Sequence, residues 1–404
     1  MSESHSWLLP DGIYGYLPTE SRSIECKRRA VLDLFSAWGF QFVMPPLVDY
    51  LHNLVGLDDS DLSERTFKFG DPFSGQLLGV RADITPQAAK IDALMNQSLA
   101  ISSDGQRCLG INRLSYCGDV MYTVADNLLG RRSLVQCGAE VFGCESLEAD
   151  VEIMALMVRV VELCGLNKVV VDVGHQGVLS GLLEPLDLTA DATDRLIKLI
   201  ERKAISEYKA FLADLPIDDR SRHWLLLLPE SFGGLGELAK VEQQFAGAPE
   251  CVVAGIRDVR VSMEALVARC PHVVPYFDLS EMRGFHYHTG LMFAAYCDGY
   301  GQLIAKGGRY EGLPQNGVRR SATGFSLDLT LLLNVAQSSE SSSASPILAC
   351  PPAENDASFW HYLTQLRGEG HQVLVVLPGE DVGVYRAEQV VEKVDGQWQT
   401  APVG

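Results

Sequence analysis

The chain has 404 residues and carries 52 Asp and Glu against 33 Lys and Arg, a net charge of −19 with a pI of about 4.9. An acidic excess of that size repels polyanions, so a broad tRNA or DNA footprint is not expected. Hydrophobic content of 47% with 21% charged residues fits a globular chain of two or three domains. No stretch approaches the roughly 18 uninterrupted apolar residues of a membrane span, and the N-terminus lacks a basic-then-apolar signal pattern, so a cytoplasmic protein without membrane contact is expected. The ten cysteines form no CxxC pair and several sit in apolar patterns, which predicts buried free thiols in a reducing compartment.

Residues 8–20 are a Pro/Gly-punctuated lead-in. Ile24, Val31, Leu34, Phe35 and Trp38 recur at helical spacing, which predicts a helix over Thr19–Trp38 stopped at Gly39. Phe40–Val43 reads as a strand ended by Pro45-Pro46. Thr66–Phe69 and Leu77–Val80 flank a Gly70–Gly75 turn and read as a hairpin. Arg81-Ala82-Asp83-Ile84-Thr85-Pro86 follows, with Thr85 suited to an N-cap and Pro86 to the first helical position. That leaves Asp83 at a strand–helix junction, where it either faces a ligand or caps local backbone.

Residues 107–124 and 133–142 read as two further strands. Period-2 placement puts Gln136, Gly138 and Glu140 on one face. A carboxylate and an amide around a glycine suit an ammonium or imidazole group; the alternative is the solvated face of an antiparallel strand. A helix over 146–164 and a strand over 168–173 come next, then mainly helical sequence to about 269. Its Gly-rich break at 232–236 is not followed by Lys-Ser/Thr and is no phosphate loop.

Glu281–Leu313 reads as a hairpin that carries a pocket wall. Alternation from Phe285 puts Arg283, Phe285, Tyr287 and Thr289 on one face and His286, His288 and Met292 on the other. Gly307-Gly308 then permits close approach of a ligand or a neighbouring strand before Arg309-Tyr310. The expected organisation is α+β: a mostly antiparallel sheet flanked by helices over 1–336, with a mainly helical insertion at about 178–257. A Ser-rich linker at 337–345 and a small α/β domain at 346–404 follow. Walker A, HExxH, GxSxG and Cys/His metal spacings are absent from the sequence, and His286-x-His288 offers only two ligands, so no cofactor or metal is expected.

Several of these pieces, over about residues 8–335, resemble the class II aminoacyl-tRNA synthetase core and, within it, histidyl-tRNA synthetase. Arg283–Gly290 (RGFHYHTG) is similar to that enzyme's Arg-Gly-Leu-Asp-Tyr-Tyr histidine motif, and Gly307–Leu313 (GGRYEGL) to its Gly-Gly-Arg-Tyr-Asp-Gly-Leu motif. Arg81-x-Asp83-x-Thr85 is similar to the Arg-Pro-Glu-Gly-Thr segment, and Gln136 and Glu140 to the Gln-x-x-Gly-x-Glu strand. Pro46 and the helix and strand before it are similar to motif 1, a dimer element in that family. Two departures stand out. Tyr122 and Val124 replace the arginine and glutamate of motif 2, and Leu331 stands at the arginine position of motif 3, with Asp328 beside it. Losing both arginines removes the fixed charge that offsets a triphosphate, which makes adenylation improbable.

A pocket that keeps amino-acid ligands and loses nucleotide ligands resembles the regulatory subunits of ATP phosphoribosyltransferase, the synthetase-like paralogues of histidine biosynthesis. That resemblance implies a non-catalytic chain that binds L-histidine through Asp83, Thr85, Gln136, Glu140, Arg283, Tyr287 and His288. Asp83 and Gln136 would take the ammonium, Glu140 and Tyr287 the imidazole, and Arg283 the carboxylate. It further implies a homodimer and a hetero-octamer with a short-form catalytic subunit, activated and feedback-inhibited through this chain. An active histidyl-tRNA synthetase-like ligase, one alternative, would support histidine-dependent ATP–pyrophosphate exchange; another synthetase-derived paralogue, a regulator of a different enzyme or an RNA-handling module, is the other and would show a basic, salt-sensitive RNA-binding surface.

Overall fold

The computed structural model describes residues 9–55, 60–97, 110–125, 130–282, 284, 287–312, 320–336, 345–353 and 356–403. The Ser-rich linker expected at 337–345 lies almost wholly outside the described residues. The chain divides into two compact units, Met1–Ser338 and Ser339–Gly404.

The first unit opens with α1 (Pro18–Ala37), where Pro18 sits in the first turn and Val31 and Phe35, one helical turn apart, are buried. Edge strand β1 (Gln41–Phe42) follows. Next come β2 (Val48–Tyr50), α2 (Leu51–Leu54), α3 (Ser60–Arg65), β3 (Phe67–Gly70) and β4 (Leu77–Val80). Strands β2, β4 and β3 form a small antiparallel sheet. Then come α4 (Thr85–Gln97), β5 (Asn112–Met121), β6 (Ser133–Phe142), α5 (Leu147–Leu163) and β7 (Val169–His175). The predominantly helical stretch comprises α6 (Gln176–Leu183), α7 (Ala190–Glu201), α8 (Ile205–Asp214), α9 (Asp219–Leu227), α10 (Leu235–Gln244) and α11 (Glu250–Arg269), with the short strand β8 (Phe232–Gly233) at its glycine break. β9 (Val274–Asp278), β10 (His288–Cys297), β11 (Tyr300–Glu311), β12 (Ser321–Asp328) and α12 (Leu329–Val335) complete the unit.

Nine strands form the main sheet in the order β1-β5-β6-β12-β11-β10-β7-β9-β8. Pairing is antiparallel except for β1 with β5 and β7 with β9. Alternation along the strands gives the sheet two different faces. One face carries Cys137, Ala139, Val141, Phe293, Ala295, Phe325 and Leu327 and shares the main hydrophobic core with Val31 and Phe35 of α1, α5 and α11. The other face carries Tyr116, Gln136, Glu140, Tyr310 and Gly324. It is covered at one end by Ile84, Ala88 and Ala89, from the start of α4, packed on Leu114, Tyr116, Val120, Phe142 and Ala322.

In the second unit, β13 (Ile347–Ala349), α13 (Ala357–Gly368), β14 (Val373–Val375), β15 (Gln389–Val394) and β16 (Gln397–Pro402) form a four-stranded sheet, β14-β13-β15-β16, and one helix. Phe359, Leu363 and Leu366 of α13 pack on Ile347, Ala349, Val373 and Val391. Asp356 caps the helix, accepting from Ser358 N at 2.9 Å, and ties it to the sheet through Lys393 Nζ at 2.8 Å.

Two expectations change. Cys117 and Cys137 were expected as free thiols, but they stand directly opposite each other in the β5–β6 register, Cα atoms 4.2 Å apart, and pair as a disulfide. That spacing belongs to the narrow pairs of an antiparallel ladder, which bring side chains close. The other described cysteines are free. The alternation read through Arg283–Met292 also fails at its start. Gly284 adopts φ +67° and its carbonyl accepts from both Tyr287 N and His288 N at 2.9 Å, so Gly284 and Tyr287 lie in a turn and β10 begins only at His288.

Arg309, four residues before the end of the GGRYEGL motif, points to the core side. It donates to Asp150 Oδ2 from Nη2 at 2.6 Å and Nε at 3.1 Å, and to the carbonyls of Cys144 and Ser146 at 2.8 and 2.9 Å. This clamp fixes β11 to the first turn of α5, with the Asp150 side chain only 1% exposed. Arg309→Met is expected to lower unfolding stability by about 3 kcal/mol or more, because it leaves a buried carboxylate unpaired. Urea unfolding checks this, and a change within ~0.5 kcal/mol would contradict it.

Candidate ligand-binding site

The site begins where β4 turns into α4. Asp83 Oδ1 accepts from Thr85 N at 2.8 Å, so this carboxylate caps the first turn of the helix. The same oxygen accepts from Gln136 Nε2 at 2.9 Å, while Gln136 Oε1 accepts from Ile84 N at 2.9 Å. Gln136 therefore staples the strand–helix junction to the sheet with both ends of its amide. Of the two roles weighed for it, Asp83 fills the backbone cap, and the same oxygen also meets Gln136. Among the described residues, its Oδ2 has no hydrogen-bond partner.

Glu140 lies two positions further along β6 and is 2% exposed. Tyr116 Oη donates to its Oε1 at 3.0 Å and Tyr310 Oη to its Oε2 at 3.0 Å, with Thr85 Oγ1 3.4 Å from Oε1. Thr85 Oγ1 and Tyr116 Oη are themselves 3.0 Å apart. Gly324 pairs with Glu140 on the neighbouring strand, and a Cβ there would fall 1.6 Å from Oε2, so only glycine leaves room for the carboxyl. Burial pushes the Glu140 pKa up to about 8 against the pull of the two tyrosine hydroxyls. Burial, together with the nearby carboxyl, raises both tyrosines well above 10, so they remain donors. The solvated-face alternative for this strand does not hold, since Gln136 is also buried, at 7%.

Tyr287 and His288 stand at the lip. The Tyr287 ring stacks on Tyr310 with centroids 5.0 Å apart and remains 45% exposed. His288 pairs with Tyr310 in register, and its Nδ1 lies 3.2 Å from the Arg309 carbonyl. Burial lowers its pKa to about 4, so the ring is neutral and Nδ1–H donates to that carbonyl. Arg283 lies outside the described residues. The structure thus gathers Asp83, Thr85, Gln136, Glu140, Tyr287 and His288 at one end of one sheet face. Sequence reasoning gave no role to Tyr116 and placed Tyr310 only within a motif. Gly138 held the signal: a glycine between two polar residues on a buried face makes room for a ring from the next strand, and a Cβ there would lie 2.5 Å from Tyr116 Oη.

Tyr122, where the synthetase motif has arginine, ends β5's extension with the Arg65 guanidinium 4.1 Å from its ring centre. Asp328 caps α12, accepting from Thr330 N at 2.9 Å, and Leu331 lies in the first turn of that helix. The positions of both synthetase arginines are therefore filled by residues without charge. Among the described residues, no group of three or more His, Cys, Asp or Glu is arranged to hold a metal ion, and no helix is long and apolar enough to cross a membrane.

Residues 12–332 match the family described as histidyl-tRNA synthetase, and residues 344–401 match that of the ATP phosphoribosyltransferase subunit HisZ C-terminal domain. ATP phosphoribosyltransferase regulatory subunits from Pseudomonas aeruginosa and Pseudomonas entomophila are 40% and 39% identical to this chain, with 100% of each chain covered. The chain belongs to the ATP phosphoribosyltransferase regulatory subunit family. Solved structures agree with this family's fold. An ATP phosphoribosyltransferase regulatory subunit/histidyl-tRNA synthetase from Bacillus halodurans superposes with a TM-score of 0.79 at 22% identity, covering 94% of this chain and 95% of that one. Histidyl-tRNA synthetase from Nostoc gives 0.74 at 18%, covering 98% and 97%. A chain of the HisG:HisZ complex from Thermotoga maritima gives 0.56 at 19%, covering 78% and 98%.

The raised Glu140 pKa carries a pH signature. Between 4.5 and about 8 the folded carboxyl keeps a proton that the unfolded one has lost, so folding stability falls as pH rises across that window. Glu140→Gln removes the titration. Urea midpoints measured from about pH 5 to pH 8 should diverge in favour of the Gln variant, by up to ~1.4 kcal/mol per pH unit. Parallel profiles would contradict the assignment.

Proposed function

We propose that this chain is the non-catalytic regulatory subunit of an ATP phosphoribosyltransferase, which activates a short-form catalytic subunit and carries feedback inhibition by L-histidine. Full-length identity of 40% to regulatory subunits supports the first part. A relative's fold in the HisG:HisZ complex supports a catalytic-subunit partner. The histidine part is carried by one observation: a buried carboxyl, Glu140, held between Tyr116 and Tyr310 and facing the Asp83 carboxylate's end of the same cleft.

The chemistry of the pocket suits an amino acid with an imidazole side chain. Asp83 Oδ2 is open to an ammonium, and Gln136 orients Asp83 rather than the ligand, because its carbonyl already accepts from Ile84 N. A protonated Glu140 donates its O–H to an imidazole nitrogen, and an ionised one pairs with imidazolium, so either state of the ring is met. Tyr287 closes the lip, and Arg283 is assigned the carboxylate. In the nucleotide half, Tyr122 and Leu331 stand where the synthetase arginines would. The same reading places a homodimer through the region of α1 and Pro46, a hetero-octamer with the catalytic chain, and a cytoplasmic setting, with no nucleic acid partner, no membrane and no cofactor.

Feedback then works through differential affinity. Histidine shifts the complex toward an inhibited state only as far as it prefers that state over the active one. Calorimetric titration should show L-histidine binding to this chain or its complex, weakened at least about tenfold by Glu140→Ala. The chain should also co-purify with a short phosphoribosyltransferase and raise its turnover. Absence of histidine binding from both chain and complex, or binding indifferent to Glu140→Ala, would contradict the proposed site.

A further inference from the structure

Arg81 lies at the end of β4, two residues before Asp83, and is 6% exposed. Its Nε donates to the Asp119 carbonyl at 2.7 Å and its Nη1 to the Pro45 carbonyl at 2.7 Å, with Pro46 O at 3.5 Å. These contacts hold the guanidinium against the sheet, and among the described residues no carboxylate is ion-paired with it. Its Nη2 is different: among the described residues it has no hydrogen-bond partner, and it is not among the polar atoms sealed off from solvent.

The position of that nitrogen is fixed by Gly118. A Cβ on Gly118 would lie 2.5 Å from Nη2, so the glycine exists to let the guanidinium lie on the sheet. Gly118 pairs directly with Gln136, whose amide holds Asp83. Nη2 is therefore on the ligand face, one residue pair from the carboxylate assigned to the ammonium. A free amino acid presents its ammonium and carboxylate on the same carbon, so an acceptor for one requires a donor close to the other. A buried guanidinium with one open N–H edge is such a donor.

We propose that Arg81 Nη2 binds the α-carboxylate of the amino acid in this site, sharing it with Arg283. The inference rests on the histidine reading above and adds a selector to it. The site then distinguishes an amino acid from its amine: Asp83 and Glu140 serve the ammonium and the imidazole of both, and Arg81 serves only the acid.

The test compares L-histidine with histamine, which keeps ammonium and imidazole and lacks the carboxylate, by calorimetry on the full chain and its complex. Wild type should prefer histidine by about tenfold or more. Arg81→Lys should weaken histidine and leave histamine nearly unchanged, so the ratio collapses toward one. Gly118→Ala, which displaces Nη2 without touching the charge, is the second variant and should collapse the ratio in the same way if Arg81→Lys does not fold. Equal weakening of both ligands, or a ratio that follows Arg283→Ala and ignores both variants, would overturn the assignment to Arg81. Failure of wild type to bind either ligand would sink the histidine reading together with this one.

Discussion

The structure of the site depends on one buried carboxyl. Glu140 sits on the ligand face of the sheet where no bulk water reaches it, and a carboxylate there would be costly. Two tyrosines, Tyr116 on the adjacent β5 and Tyr310 on β11 beyond β12, solve this by donating to its two oxygens, and Gly324 of β12 gives the group its space. Each partner in turn fixes something else. Tyr116 fits against Gly138, Tyr310 carries the Tyr287 ring, and Thr85 brings in the first turn of α4. A single polar group thus organises residues of four strands, β5, β6, β12 and β11, and a helix terminus.

Charge is distributed unequally along that face. The end near α4 holds Asp83, Glu140 and the open edge of Arg81, each with defined partners. At the positions of the two synthetase arginines the chain has Tyr122 and Leu331, and Asp328 is used up as a helix cap. On the proposed reading, a fold that bound an amino acid and a nucleotide together keeps the first half of its site and turns it into a sensor. On the opposite face, the clamp between Arg309 and Asp150 ties β11 to the start of α5.

Much of the fold was legible because its elements announce themselves locally. The Pro86 start of α4, the Gly70–Gly75 turn and the Asp298-Gly299-Tyr300-Gly301 turn signal between β10 and β11 all follow from short-range chemistry. The pairing of Gln136 with Glu140 on one face was legible from period 2 alone. The missed features are long-range. Tyr116 meets Glu140 only because β5 and β6 pair in one register, and the Cys117–Cys137 pair comes from that same register. The face assigned to Tyr287 failed for the reverse reason: a local positive-φ glycine, Gly284, delayed the strand to His288. Arg81 was read as part of a motif, and its open Nη2 appears only when Gly118 is seen beneath it.

A structure of this chain with L-histidine tests the central claim most directly. The account predicts the ammonium on Asp83 Oδ2 and the imidazole on Glu140 between Tyr116 and Tyr310, with the sheet floor unchanged. Histidine found at the boundary with a catalytic chain, over an empty Glu140 cleft, would contradict it.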